Sequence, residues 1–168
     1  MRRVAFWLLV ASVLVGCGSK LKRLSASERG HYYALRVYMD HKEEKQFLKG
    51  KTEEERNTWL QERGLWDRFY QYEEAVRDLI IAGEVAEGWK EEMVLMSWGA
   101  PFERRRMTGR PAERSEVFVY RFEIDKEGIV RVWDPASKTA YKMVNRYQVE
   151  LFVDDGEVTQ TRRKDRWE

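Results

Sequence analysis

The chain predicts an α+β fold, with helices first and a small antiparallel sheet after them. Three observations carry that prediction. From Leu21 to Ala82 there is no proline, and apolar residues recur at helical spacing. From Pro101 onward the apolar period changes to two. The strands so defined follow one another directly instead of alternating with helices, which argues α+β over α/β.

The helical half begins at Ser25-Ala26-Ser27-Glu28, a capping box in which the Ser25 hydroxyl and the Glu28 carboxylate satisfy first-turn amides. Tyr32, Leu35 and Met39 then share a face. Gly50 marks a break. Thr52-Glu53-Glu54-Glu55 is a second capping box, followed by Trp59 and Leu60, and Gly64 closes that helix. Leu65–Ala82 predicts a third helix, ended by Gly83. Its stripe of Trp66, Phe69, Glu73, Val76 and Ile80 is apolar except for Glu73. Aromatic stripes at this spacing read as helix core.

A short segment, Gly88 to Pro101, joins the halves. Gly88 opens a short helix with Trp89, Met93 and Met96 on one side and Leu95 and Trp98 beside them. Gly99 supplies a left-handed cap and Pro101 forbids continuation. Phe102–Met107 can form a strand. Ser115–Ile124 is a clear one, with Phe118, Tyr120 and Phe122 on one side and Val117, Val119 and Arg121 on the other. Glu127-Gly128 turns the chain into Ile129–Trp133, which Asp134-Pro135 closes. Tyr141–Val153 alternates again. Asp155-Gly156 is a two-residue hairpin signal leading into Glu157–Arg163. The tail from Arg162 to Glu168 reads as a mobile end.

The N-terminus stands apart from this fold. Met1–Cys17 has Arg2 and Arg3 ahead of an apolar stretch, then small residues and a cysteine, the pattern of an export signal. The stretch is too short to span a bilayer, which needs about 20 apolar residues. Leu14-Val15-Gly16-Cys17 resembles the lipobox of bacterial lipoproteins. That resemblance implies cleavage before Cys17, a diacylglyceryl group on its sulfur and an acyl chain on its new amino group. Stable anchoring takes more than one acyl chain, and such a Cys17 would have it. Gly18 and Ser19 follow in place of the Asp that usually means inner-membrane retention, so the resemblance implies the periplasmic face of the outer membrane. The alternatives are an ordinary cleaved signal with a coincidental cysteine and an uncleaved membrane anchor.

Composition limits the classes further. Loss of Met1–Gly16 would remove two of the 31 basic residues and balance the 29 acidic ones, leaving no formal net charge. Neither charge nor export argues for nucleic acid. Aromatics are 13% of the chain, enough for a packed core. The single cysteine excludes an intrachain disulfide.

The junction and two strands also carry a family resemblance. Gly88-Trp89, a polar run, an apolar pair and Gly99-Ala100-Pro101 come first. Phe118-Val119-Tyr120 follows, and then Leu151-Phe152-Val153-Asp154-Asp155-Gly156-Glu157-Val158. In that order, behind a lipobox, they resemble the small outer-membrane lipoprotein domain called BamE, or SmpA/OmlA, over residues 78–163. Trp89 stands where the family usually has Met, Lys90 where a capping Thr is common, and Phe118 where Trp is usual. The chain between Ile124 and Tyr147 leaves room for an extra hairpin. The resemblance implies a non-enzymatic binding or scaffold module whose partner is the machinery that folds β-barrels into the outer membrane, or anionic lipid near it. The expected organisation is a signal peptide (1–16), a lipidated helical extension (17–64) and a BamE-like domain (65–168).

No residue pattern singles out catalysis. The cysteine is claimed by lipid, so a nucleophilic triad lacks its thiol. His31 and His41, read as one helix, stand ~15 Å apart along its axis and make no metal site by themselves. Glu53-Glu54-Glu55 and Glu91-Glu92 read as solvated helix starts. No cofactor or metal is expected. The alternative class is a lipid-anchored enzyme acting on cell wall through a carboxylate pair that the sequence does not identify. Glu103–Arg114 is the remaining unusual segment, with five arginines. Arg104, Arg105, Arg106 and Arg110 make it a candidate docking loop for an acidic protein surface, lipid headgroups or cell-wall carboxylates. The other reading is a solvated hairpin paired with neighbouring glutamates.

Overall fold

A computed structural model describes residues 18–135 and 141–166. The expected signal peptide and Cys17 lie outside the described residues. The helices are α1 (Gly18–Leu21), α2 (Ala26–Leu35), a 3₁₀ turn (Arg36–Tyr38), α3 (His41–Phe47), α4 (Glu53–Glu62), α5 (Leu65–Tyr70), α6 (Glu74–Ala82) and α7 (Glu91–Trp98). The strands are β1 (Glu103–Arg106), β2 (Ser115–Asp125), β3 (Val130–Val132), β4 (Met143–Asp154) and β5 (Glu157–Lys164). The fold is α+β. No described helix is long and apolar enough to cross a membrane.

Local signals set most helix ends. Ser25 accepts from the Glu28 amide, and the Glu28 carboxylate reaches back to the Ser25 amide at 2.7 Å, a complete capping box. Asp40 and Glu43 form another ahead of α3, one that the sequence reading passed over. At Thr52 only half of the expected box forms. The Thr52 hydroxyl accepts from the Glu55 amide, but the Glu55 carboxylate turns to the Lys51 amide instead.

Leu65–Ala82 is two helices, not one. A continuous helix would place Glu73 in the buried stripe with Phe69 and Ile80. The chain breaks after Tyr70, and Glu73 becomes the exposed, extended N-cap of α6. Desolvating an unpaired carboxylate costs more than interrupting the helix. His31 and His41 likewise fall on different helices, α2 and α3.

The sheet is antiparallel with order β1-β2-β4-β5. β3 also pairs with β2, beyond β1 on the same edge, and supplies the extra hairpin for which the chain had room. Asp155 (φ 49°) and Gly156 (φ 84°) make the β4–β5 turn with two positive φ values, as the Asp-Gly pair predicts. β5 extends through Arg162, Arg163 and Lys164, so these residues are paired strand and not a loose tail.

Two cores share one helix. Leu24, Tyr32, Leu35, Phe47, Leu60, Phe69 and Ile80 pack together with Met93 and Met96 of α7. Phe118, Tyr120, Phe122, Val149, Leu151, Val153 and Val158 pack against Val94 of α7, with Trp98 alongside. Trp89 touches both. Fully burying a side chain such as Val94 contributes about 1.5–3 kcal/mol, and α7 does this on both faces. Leu60 and Leu65 belong to the same core, so packing is continuous across residue 64.

Candidate functional site

Helix α7 organises both ends of the site region. At its start, Gly88 (φ 84°) donates its amide to the Val158 carbonyl, and the Val158 amide donates to the Trp89 carbonyl, each at 2.8 Å. The Glu91 amide donates to the Gly156 carbonyl at 2.7 Å. Gly88, Trp89, Asp155 and Gly156, far apart in sequence, thus meet where the 88–91 segment covers the edge of β5. Covering an edge removes a template for unwanted pairing. The helix itself begins at Glu91, after an N-cap, Lys90, that has no side-chain hydrogen bond.

At its other end α7 stops at Gly99, whose φ 77° and ψ −161° lie outside the left-handed helical region expected there. Only glycine occupies that region readily. The consequence is directional: the Gly99 carbonyl turns inward and accepts from the buried Tyr120 hydroxyl at 2.9 Å. Burial pushes the Tyr120 phenol well above its ordinary pKa, so it stays a donor.

Gly99, Ala100, Pro101 and Phe102 form one wall of a cleft of about 470 Å³. Trp98 also lines it, held by its indole N–H to the Gly83 carbonyl at 2.7 Å and by edge contacts with Tyr120 and Phe122, both at 5.0 Å between centroids. Val132-Trp133-Asp134-Pro135, at and after the end of β3, line it too, and Arg36, Val37 and Glu44 join from the helical layer. Phe102 and Trp133 lie 5.4 Å apart, with the Arg121 guanidinium 3.7 Å over Phe102. Aromatic and proline walls with charges at the rim suit an apolar or extended segment. A depression along α4 is walled by residues of Thr52–Glu62 alone.

The arginines expected to dock a partner are dispersed. Arg104, Arg105 and Arg106 lie in strand β1, so they alternate between faces of the sheet. Arg104 pairs with Glu91 at 2.7 Å and sits 4.2 Å over the Phe118 ring. Arg105 faces the other side, 3.5 Å from Glu103 and 3.3 Å from Glu150. Arg110 pairs with Asp154 at 2.6 Å. Arg106 alone of the four has no ion pair among the described residues. The expected single docking loop is therefore a strand and a turn whose cations mostly have internal partners.

Carboxylates and histidines are similarly engaged. Glu28 pairs with Arg56, and both are buried. Asp125 holds the Glu127 and Ile129 amides and Arg131. Burial pushes the Glu150 carboxyl up, yet Lys164 and Arg162 outweigh it and hold it down at about 2. Among the described residues no group of His, Cys, Asp and Glu could hold a metal ion. His31 is buried among Trp66, Phe69 and Tyr70 and shares a hydrogen bond with the Tyr70 hydroxyl at 2.8 Å. His41 is exposed.

No protein-family model, curated protein or solved structure matches this chain. The site therefore rests on its own geometry. Gly99, Pro101 and Tyr120, singled out in the sequence, build it. Arg36, Glu44, Trp133 and Asp134 were missed, because nothing in their spacing ties them to α7. The one available signal was a repeated chemistry, an aromatic beside a proline at Pro101-Phe102 and again at Trp133-Asp134-Pro135.

Proposed function

We propose that this chain is a lipid-anchored, non-enzymatic binding module of the bacterial cell envelope. Acyl chains on Cys17 hold it at the periplasmic face of the outer membrane. The cleft at the end of α7 receives a segment of another envelope protein, and the BamE-like motifs point to the β-barrel assembly machinery as that partner. The observation that carries the reading is the cleft itself: apolar walls from two layers, converging on a helix end that both cores hold rigid.

Two measurements test the proposal. Cys17→Ser should move the protein from the membrane fraction to the soluble periplasm, and retention in the membrane fraction would remove the anchor. Tagged protein, purified from its native envelope in detergent, should recover a barrel-assembly subunit stoichiometrically. Phe102→Ala with Trp133→Ala should abolish that recovery while the protein stays folded. Recovery unchanged by the cleft variant would place the partner elsewhere, and recovery of a different complex would end the assembly reading.

A further inference from the structure

Among the described residues, helix α7 packs on one face of the sheet, the face of Phe118, Tyr120 and Leu151. The other face has a thin apolar floor of Val117, Val119 and Phe152, joined only by Met107 among the described residues. That floor is nearly sealed, Val119 being 1% and Phe152 9% exposed. Cationic side chains do the sealing. The Arg162 and Arg110 guanidiniums lie 5.3 and 5.9 Å from the Phe152 ring centroid. Arginine stems cover apolar surface in this way while the charged heads stay in water.

Beside this floor three cations converge on one carboxylate. Glu150, 1% exposed, accepts from Arg162 Nε at 2.8 Å, Arg105 Nη2 at 3.3 Å and Gln148 Nε2 at 3.1 Å, and also from Lys164 Nζ. Its lone pairs are filled. By register Glu103, Glu123, Glu150, Asp154 and Glu157 share this face with Arg105, Arg121, Arg131, Arg146, Arg162 and Lys164, and Arg110 reaches Asp154, so basic groups outnumber carboxylates on it. Arg162 directs only Nε and Nη2 at Glu150, and a lysine ammonium has three donors. The side chains of Arg105, Arg162 and Lys164 are about half exposed. Unused N–H groups therefore face solvent in a row.

We propose that this outer face of the sheet is a docking surface for an acidic, extended polypeptide segment of another protein. Guanidinium forks match planar carboxylates. Arg162 and Lys164 are two positions apart on β5, which spaces them by about 7 Å, the repeat of alternate carboxylates on an extended chain. The floor of this face is sealed, so it presents no aliphatic group to enter a lipid layer. This surface lies on the face opposite α7, and none of Arg105, Glu150, Arg162 and Lys164 lines the cleft.

The test uses the full lipidated protein in neutral detergent micelles and a fluorescein-labelled Glu-Ser repeat peptide, followed by anisotropy. Binding should weaken steeply with salt. Lys164→Gln and Arg105→Gln should each weaken it about tenfold, the loss expected for one charge-assisted pair. Arg163→Gln is the control, since Arg163 lies on the same strand but stacks at 3.9 Å on Tyr147 of the helix-covered face. Each Gln variant leaves Glu150 with other basic partners, and an unchanged unfolding midpoint verifies the fold. Absence of binding, or equal loss in Arg163→Gln, overturns the proposal. So does full displacement of the peptide by inorganic phosphate at matched ionic strength, or by phosphatidylglycerol added to the micelles.

Discussion

Replacing Arg56 with Met should destabilise the helical layer severely, and the structure says by how much. Arg56 and Glu28 are buried, with side chains 8% and 3% exposed. Glu28 has two tasks: one oxygen caps the Ser25 amide and the other receives Arg56. Arg56 also donates to the Gly50 carbonyl, closing the turn between α3 and α4. Removing one partner of such a pair leaves an uncompensated buried charge, at a cost of about 3–5 kcal/mol. Domains of this size are stable by only about 5–15 kcal/mol, so the variant should be marginal. With a urea slope of about 1–3 kcal/mol per molar, the midpoint should fall by roughly 1–5 M. Adding Glu28→Gln removes the stranded charge and should recover most of the loss. Acid adds a check. Burial raises the Glu28 carboxyl, but the Ser25 amide and Arg56 lower it more, so its folded pKa lies below its unfolded one. Its contribution is then present above the ordinary carboxylate range and lost as pH falls through the folded value. The wild type should lose this contribution in acid, and Glu28→Gln should not. A urea midpoint for Arg56→Met within a few tenths molar of wild type, or a double variant no better than the single, would refute the reasoning.

Three further outcomes are expected. Gly99→Ala should cost about 1–3 kcal/mol through backbone strain alone, because an added Cβ there meets nothing within 4 Å; a neutral substitution in chemical denaturation would contradict the φ and ψ assigned to it. Burial holds the His31 imidazole below its ordinary pKa, and its Nδ1 has no hydrogen-bond partner among the described residues. The unfolded chain therefore takes up this proton first, and stability should fall as pH drops below about 6.5, by at most about 1.4 kcal/mol per pH unit. His31→Phe should flatten that slope, and an unchanged slope would assign it elsewhere. Leu35→Ala in the helical core and Leu151→Ala in the sheet core should each cost about 2–5 kcal/mol. Because α7 joins the cores, both should shift a single unfolding transition, and resolved separate transitions in fluorescence and circular dichroism would show that the layers unfold independently.

Reading the strands from sequence succeeded because their determinants are local. Alternation in Ser115–Ile124 and the Asp155-Gly156 turn depend on neighbours within a few residues, and β2 and the β4–β5 hairpin form where expected. Ser25-Glu28 and Gly64 worked for the same reason. The helix over Leu65–Ala82 failed at its one discordant residue: Glu73 was legible as an exception in the stripe, but only packing decided that the chain would break there.

By itself, then, the sequence determined the α+β order, the strand faces and the turns, all properties of short windows. Tertiary structure decided the rest. It placed α7 between two cores and sent Arg104 and Arg105 to opposite faces of the sheet. It brought Arg36 and Glu44 against Trp133 and Asp134 to make the cleft. Each of these depends on residues far apart in the chain being brought together by burial of apolar surface, a non-directional force that leaves no periodic mark in the sequence.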